Sequence, residues 1–71
     1  MMQQFSLAGK PFIALNNLLK VEGWCESGAL AKQMIDEARV MVDGRVERRK
    51  RCKIVAGQIV ELEGQSIQVI D

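Results

Sequence analysis

The sequence contains no histidine, which removes the commonest general base and a frequent metal ligand in one step. Only two cysteines are present, and Cys25 and Cys52 lie too far apart for a CxxC redox or zinc pair. We expect two unpaired thiols, no metal site and no cofactor. Acidic side chains near the predicted helices leave a route to acid and base catalysis, but a domain this small hardly forms the deep pocket required. We expect no enzyme activity.

Aromatic residues make up only 4% of the sequence, namely Phe5, Phe12 and Trp24, and tyrosine is absent. Contact with a nucleic acid therefore cannot rest on a platform of several stacked bases. No apolar run approaches the roughly 18 residues of a membrane span, and the start MMQQFSLAGK lacks the basic and then apolar order of a signal peptide. These features predict a cytoplasmic protein that binds neither a membrane nor a small-molecule substrate.

The 71 residues have room for one core, because a separate domain usually needs on the order of 50 residues or more. Hydrophobic residues account for 48% of the sequence and charged residues for 27%, which excludes a disordered chain on the usual charge and hydropathy criterion. The sequence therefore predicts a single folded domain over residues 1–71.

Charge is distributed unevenly along the chain, although the net charge is only +1. Residues 45–53, here called the basic segment, read RVERRKRCK and hold six basic groups against Glu47, which gives +5. The remaining positions hold four basic and eight acidic groups, which gives −4. A local excess of this size attracts polyanions whatever the net charge is. A solvated loop that only favours solubility is the alternative interpretation.

Two amphipathic helices are predicted in the first forty residues. Residues 11–22 place Phe12 and three leucines at helical spacing, with Pro11 in the first turn and Gly23 as the C-terminal cap. Ser27 is expected to cap a second helix through its hydroxyl. The apolar stripe of that helix consists of Leu30, Ala31, Met34, Ile35 and Ala38. Trp24, in the connector, is expected to pack against the core.

From Val40 the apolar period changes from about 3.6 to about 2, which predicts strands. Asp43-Gly44 is a hairpin turn signal, and Val40, Val42 and Val46 are expected on one face. Further strands are predicted at 59–62 and 67–69, with turns at 57 and 63–65 and a strand at 3–7 that pairs with one of them. The predicted fold class is α+β, with two helices followed by a small, mostly antiparallel sheet.

The spacing of these residues resembles the S4 RNA-binding domain and its two-helix αL motif. The resemblance covers roughly residues 12–62. It is carried by Leu15, Leu18, Leu19, Gly23, Ser27, Ala31, Met34, Ile35, Val40–Gly44, Val46 and Ile54–Ile59. The stretches SGALAK and RKRCKIVAGQ are similar to a short, stand-alone bacterial form of the family.

This resemblance implies a non-catalytic S4-like fold that binds structured RNA, such as ribosomal RNA, transfer RNA or another hairpin RNA. Three positions depart from the family pattern. Gly28 stands where a basic residue often follows the cap serine, and Ala38 stands where a glycine commonly precedes the hairpin. Gln58 replaces an aspartate that often follows the loop glycine, a change that we expect to be structurally minor.

The predicted RNA-binding face combines the second helix with the basic segment, and its cations would contact phosphates. The candidate residues are Lys32, Arg39, Arg45, Arg48, Arg49, Lys50, Arg51 and Lys53. Arginine suits this role because its guanidinium stays charged and can hold a phosphate through two parallel bonds.

Two alternatives remain at this stage. One is a protein-interaction adaptor that docks the basic loop on an acidic protein partner. The other is a β-grasp sulfur or modifier carrier, which is disfavoured because such chains need a free Gly-Gly end and this sequence finishes Val69-Ile70-Asp71.

Overall fold

The computed structural model describes residues 2–71, which form two helices and seven strands. In chain order these are β1 (Gln3–Ser6), β2 (Ile13–Ala14), α1 (Leu15–Val21), α2 (Gly28–Asp36), β3 (Val40–Val42), β4 (Arg45–Val46), β5 (Lys53–Ile54), β6 (Ile59–Leu62) and β7 (Gln65–Ile70). Neither helix in this part of the chain is long and apolar enough to cross a membrane.

The strands form two sheets. The larger sheet has the order β1-β7-β6-β3-β4, and its neighbours are antiparallel except for the parallel pair of β1 and β7. The smaller sheet is the antiparallel pair of β2 and β5. The N-terminal strand predicted at residues 3–7 therefore exists, and its partner is the last strand of the chain.

Helix α1 is shorter than predicted, because residues 13–14 form a strand and not a helical turn. Ile13 pairs with Ile54, so the backbone just before Leu15 is extended and forms a strand beside β5. The prediction that Pro11 lies in the first helical turn is therefore wrong.

The end of α1 is as predicted. Gly23 adopts a φ of +76°, and its N–H donates to the carbonyl of Lys20 at 3.0 Å. The N–H of Trp24 donates to the carbonyl of Leu19 at 3.1 Å. These two bonds form a Schellman cap, which turns the chain out of the helix and lets α2 follow after a short connector.

Helix α2 begins where the sequence predicts. The hydroxyl of Ser27 accepts a hydrogen bond from the N–H of Leu30 at 3.1 Å, which satisfies one of the free amides of the first turn. Ala31 and Ile35 are buried, while Leu30 and Met34 pack at the edge of the core.

The helix α2 ends in a second Schellman cap, in which an alanine occupies the position usual for glycine. Ala38 has a φ of +61°, and its N–H donates to the carbonyl of Ile35 at 3.1 Å. The N–H of Arg39 donates to the carbonyl of Met34 at 3.1 Å. Ala38 therefore lies outside the helix, and its predicted place on the helical apolar stripe is wrong.

The predicted turn at Asp43-Gly44 is confirmed, with both residues at positive φ as a type I′ hairpin requires. The face predicted for Val46 is wrong. Val46 pairs with Met41, so it lies on the opposite face from Val40 and Val42 and is 51% exposed.

One apolar cluster joins the helices to the larger sheet and to β5. Its buried members are Leu7, Leu15, Leu18, Leu19, Cys25, Ala31, Ile35, Val40, Val42, Ile54, Val60, Leu62, Ile67 and Val69. Trp24 packs against this cluster as predicted, and Cys25 and Cys52 are both free thiols.

Candidate nucleic-acid interface

The basic segment lies across the start of α1 and is tied to α2. The first free amides of α1, those of Leu15 and Asn16, donate to the carbonyls of Cys52 at 2.9 Å and Lys50 at 3.1 Å. The ammonium of Lys50 lies 3.2 Å from the Oδ2 atom of Asp36, in the last turn of α2. Both helices therefore position the segment, although it contains little regular structure of its own.

The carboxylate of Glu47 stabilises the conformation of the basic segment by binding Arg49 of the same segment. Glu47 accepts hydrogen bonds from the backbone N–H of Arg49 and from its Nε at 3.0 Å each through one oxygen, and from Nη2 at 3.0 Å through the other. These bonds lower the pKa of Glu47 to about 2, the side-chain bonds having the larger effect. The guanidinium of Arg49 is thus directed back onto its own segment.

Cys52 lies beside the pair of Glu47 and Arg49. Its Sγ atom is 3.6 Å from a carboxylate oxygen of Glu47 and 3.5 Å from the Nη2 atom of Arg49. Burial, together with the negative charge of Glu47, raises the pKa of the thiol above its ordinary value. The thiol is therefore held in its neutral form at pH 7, and it acts as a packing group.

Among the described residues, no carboxylate neutralises the other four cations of the segment. Within residues 2–71, Arg45, Arg48, Arg51 and Lys53 form no ion pair. All four side chains are exposed. The structure therefore divides the predicted cations into a neutralised set that shapes the segment and an unpaired set that faces outward.

Lys32 lies on α2, the helix that contacts the basic segment through Asp36 and Lys50. It lies one helical turn before Asp36, and residues four apart share one face of a helix. Lys32 is half-buried and likewise forms no ion pair in the part of the chain that the structure describes. The unpaired cations of α2 and of the segment, which are Lys32, Arg45, Arg48, Arg51 and Lys53, are here called the basic face.

Arg39 is engaged elsewhere. Its guanidinium lies 3.3 Å from Oε1 of Glu37 and 2.7 Å from Oε1 of Glu63, in the turn between β6 and β7. Two carboxylates therefore neutralise this cation, which the sequence assigned to the RNA-binding face.

The sequence predicts only a turn at Asp43, but the side chain of Asp43 also forms two long-range hydrogen bonds. Its Oδ1 atom accepts from the N–H of Ile59 at 2.9 Å, and its Oδ2 atom accepts from the side-chain amide of Gln58 at 3.3 Å. The Oε1 atom of Gln58 accepts in turn from the N–H of Val55 at 2.9 Å. Asp43 and Gln58 therefore join the hairpin turn to the turn before β6.

Sequence reasoning also missed an apolar groove beside Phe12. Phe12 was expected on the buried stripe of α1, but it precedes β2 and is 38% exposed. The groove has a volume of about 430 Å³. It runs between β1, β2 and α1, and its walls include Phe5, Lys10, Phe12, Ala14, Asn17 and Val21. Helical spacing gave no signal of it, because β2, which lines the groove, is a strand through its pairing with the distant β5.

The side chains of residues 2–71 contain no group of three or more cysteine and acidic residues placed to hold a metal ion.

Comparison with known proteins gives consistent results. The family model described as S4 domain matches residues 5–70. The chain is 59% identical over 69 residues to YbcJ of Escherichia coli K12, named as a candidate RNA-binding protein, with 97% of this chain and 99% of that protein covered. It is 35% identical over 60 residues to RlbA of Bacillus subtilis 168, named as a probable ribosome maturation protein, with 83% of this chain and 84% of that protein covered.

A solved structure shares the fold. The solution structure of Escherichia coli YbcJ, described as revealing an αL motif involved in RNA binding, matches with a TM-score of 0.77 and 58% identity. The match covers 100% of this chain and 90% of that one. The predicted α+β fold, in which an αL motif is followed by a mostly antiparallel sheet, is confirmed.

Proposed function

Because the chain belongs to the S4 domain family, as the sequence resemblance predicted, we propose that it is a non-catalytic module that binds the phosphate backbone of structured RNA. The observation that supports this proposal is that the five cations of the basic face, four of them within nine residues of the chain, form no ion pair within residues 2–71. Phosphate contacts fix a protein on a nucleic acid without reading its sequence. We therefore expect an affinity that depends on the shape of the RNA more than on its bases.

Because of the ion pairs, fewer cations are available to bind phosphate than the sequence contains. Glu47 neutralises Arg49, and Asp36 neutralises Lys50, so these four groups add no net charge. Of the five cations that remain, four lie on a segment whose backbone is hydrogen-bonded to the start of α1 and whose Lys50 side chain contacts α2. A surface that is ordered before binding loses less conformational entropy when it meets the RNA.

Ribosomal RNA is the first partner to test. The relative RlbA is named as a probable ribosome maturation protein, and this supports a ribosomal role for the present chain. A cytoplasmic location would suit that role and stays a prediction from the sequence.

A salt titration tests the proposal. If the five unpaired cations each neutralise one phosphate, the slope of log K against log salt should be roughly −3.5 to −4.5, at about 0.7 to 0.9 per contact. Arg48→Gln and Arg51→Gln should each flatten the slope by about one contact, and the double variant by about two. Both changes should leave the melting temperature unchanged, because these side chains are exposed.

Arg39→Gln provides the matched control. It removes the same charge by the same substitution, but from a guanidinium that Glu37 and Glu63 already neutralise. Its slope should equal that of the wild type, whereas a contact at Arg39, as the sequence predicts, would flatten it by about one. If the double variant binds with the wild-type slope and affinity, the basic face does not contact phosphate. Capture of an acidic protein that survives nuclease treatment would then favour the adaptor.

A further inference from the structure

We infer that the groove beside Phe12 receives one unpaired nucleobase of the RNA that the basic face holds. This inference rests on the proposed RNA binding and specifies which kind of structured RNA the protein prefers. The preferred RNA would be a helix with a bulged or looped-out nucleotide next to the bound phosphates. A fully paired helix would then bind less tightly.

The chemistry of the groove suits a base. Its volume of about 430 Å³ falls within the range of roughly 300 to 1,000 Å³ that is usual for small-ligand sites. The rings of Phe5 and Phe12 contribute aromatic wall, and Asn17 contributes an amide that can both donate and accept hydrogen bonds. No acidic residue lines the groove, and Lys10 stands at it. A nucleobase matches this set because it has two apolar faces and a polar edge.

Phe12 also links the groove to the basic face. The ammonium of Lys53 lies 5.0 Å from the centroid of the Phe12 ring, which is cation–π distance. Lys53 pairs with Ala14 across the smaller sheet, and Ala14 lines the groove. A cation of the basic face therefore stands directly at the aromatic wall. One nucleotide can reach both features, because a single sugar joins its base to its phosphate.

The charge around the groove favours RNA over an apolar peptide. Lys10 lines the groove, and the ammonium of Lys53, which is outside the groove lining, lies over the Phe12 ring, so an occupant with negative charge beside its apolar part is preferred. A nucleotide has this character. A single accessible ring also agrees with the low aromatic content, which excludes a platform of several bases but not one stacked base.

Two hairpin RNAs of equal length test the inference. One stem carries a single bulged 2-aminopurine, and the other is fully paired and carries 2-aminopurine within the stem. The wild type should bind the bulged RNA on the order of tenfold more tightly, and its binding should quench the fluorescence of the bulged base. Phe12→Leu should reduce the preference to about twofold or less, while the affinity for the paired RNA and the salt slope stay unchanged.

Phe12→Trp is the matched variant, because it keeps an aromatic face at the same position and should preserve both the preference and the quenching. Melting curves of the two variants check that the fold is intact. Equal affinity of the wild type for both RNAs would overturn the inference and leave phosphate binding standing, and an apolar peptide would then be the remaining occupant. A Phe12→Leu variant that weakens both RNAs equally would also overturn it. Failure of the wild type to bind either RNA would refute the proposed function itself.

Discussion

Replacing Ala38 by glycine should stabilise the protein. Ala38 closes the Schellman cap of α2 at a φ of +61°, a conformation that its Cβ atom disfavours. The left-handed conformation costs a residue with a Cβ atom roughly 1 to 2 kcal/mol, and glycine escapes this cost. Glycine also raises the conformational entropy of the unfolded chain, which reduces the gain in stability by about 0.4 to 1 kcal/mol. The net gain should be about 0 to 1.6 kcal/mol, with a middle value of about 0.8 kcal/mol.

Thermal and urea unfolding followed by circular dichroism measure this gain. For a domain of this size, the middle value of about 0.8 kcal/mol corresponds to a rise in melting temperature of about 3 to 6 °C. Ala29→Gly is the matched control, since Ala29 is exposed and lies within α2, where glycine should cost up to about 1 kcal/mol. A destabilising Ala38→Gly would show that the cap is not formed as described. RNA affinity should be unchanged in both variants.

Two further predictions concern the carboxylates that brace the turns. The pKa of Glu47 falls from its ordinary value of 4.5 to about 2, so its contribution to stability is complete above pH 4.5 and is lost as the pH falls towards 2. Glu47→Gln should therefore cost about 1 kcal/mol at pH 7, a modest value because the guanidinium of Arg49 is 76% exposed. The cost should be clearly smaller at pH 2, where the carboxyl is partly protonated, and urea unfolding with an equal cost at both pH values would contradict this. Asp43→Ala should lower the free energy of unfolding by roughly 1 to 3 kcal/mol, because the N–H of Ile59 loses its carboxylate partner. Asp43→Asn keeps an acceptor oxygen and should cost less than about 1 kcal/mol. Equal denaturation midpoints for the two variants would refute the role of the Asp43 side chain.

The parts of the fold that the sequence predicts well are those set by local chemistry. The serine cap of α2 and the glycine cap of α1 involve residues within five positions of each other, and both signals are correct. The start of α1 depends on β5 instead. Residues 13–14 become a strand only because a segment some forty positions later lies beside them, and helical spacing alone extends the helix too far.

Side-chain direction in the hairpin is a matter of register. The two-residue turn pairs Val42 with Arg45, so the next pair, Met41 with Val46, lies on the other face. Alternation counted through the turn gives the wrong face for Val46, because the turn residues do not continue the pleat. The long-range contact of Asp43 with Ile59 was equally hidden, since an Asp-Gly pair signals the turn and nothing about what its carboxylate meets.

The candidate interface shows most clearly that composition does not reveal which cations form ion pairs. A sequence reports six basic groups in nine residues, but it does not report which carboxylates fold onto them. Arg48 and Arg49 are neighbours with identical side chains, yet Arg49 is bound by Glu47 in a forked pair and Arg48 forms no ion pair within residues 2–71. Their substitution should therefore have different consequences, loss of segment geometry at Arg49 and loss of a phosphate contact at Arg48. The acidic residues of this region act as structural partners that hold the segment in place, so under the proposed function we expect the charge available to RNA to be that of the cations they leave unpaired.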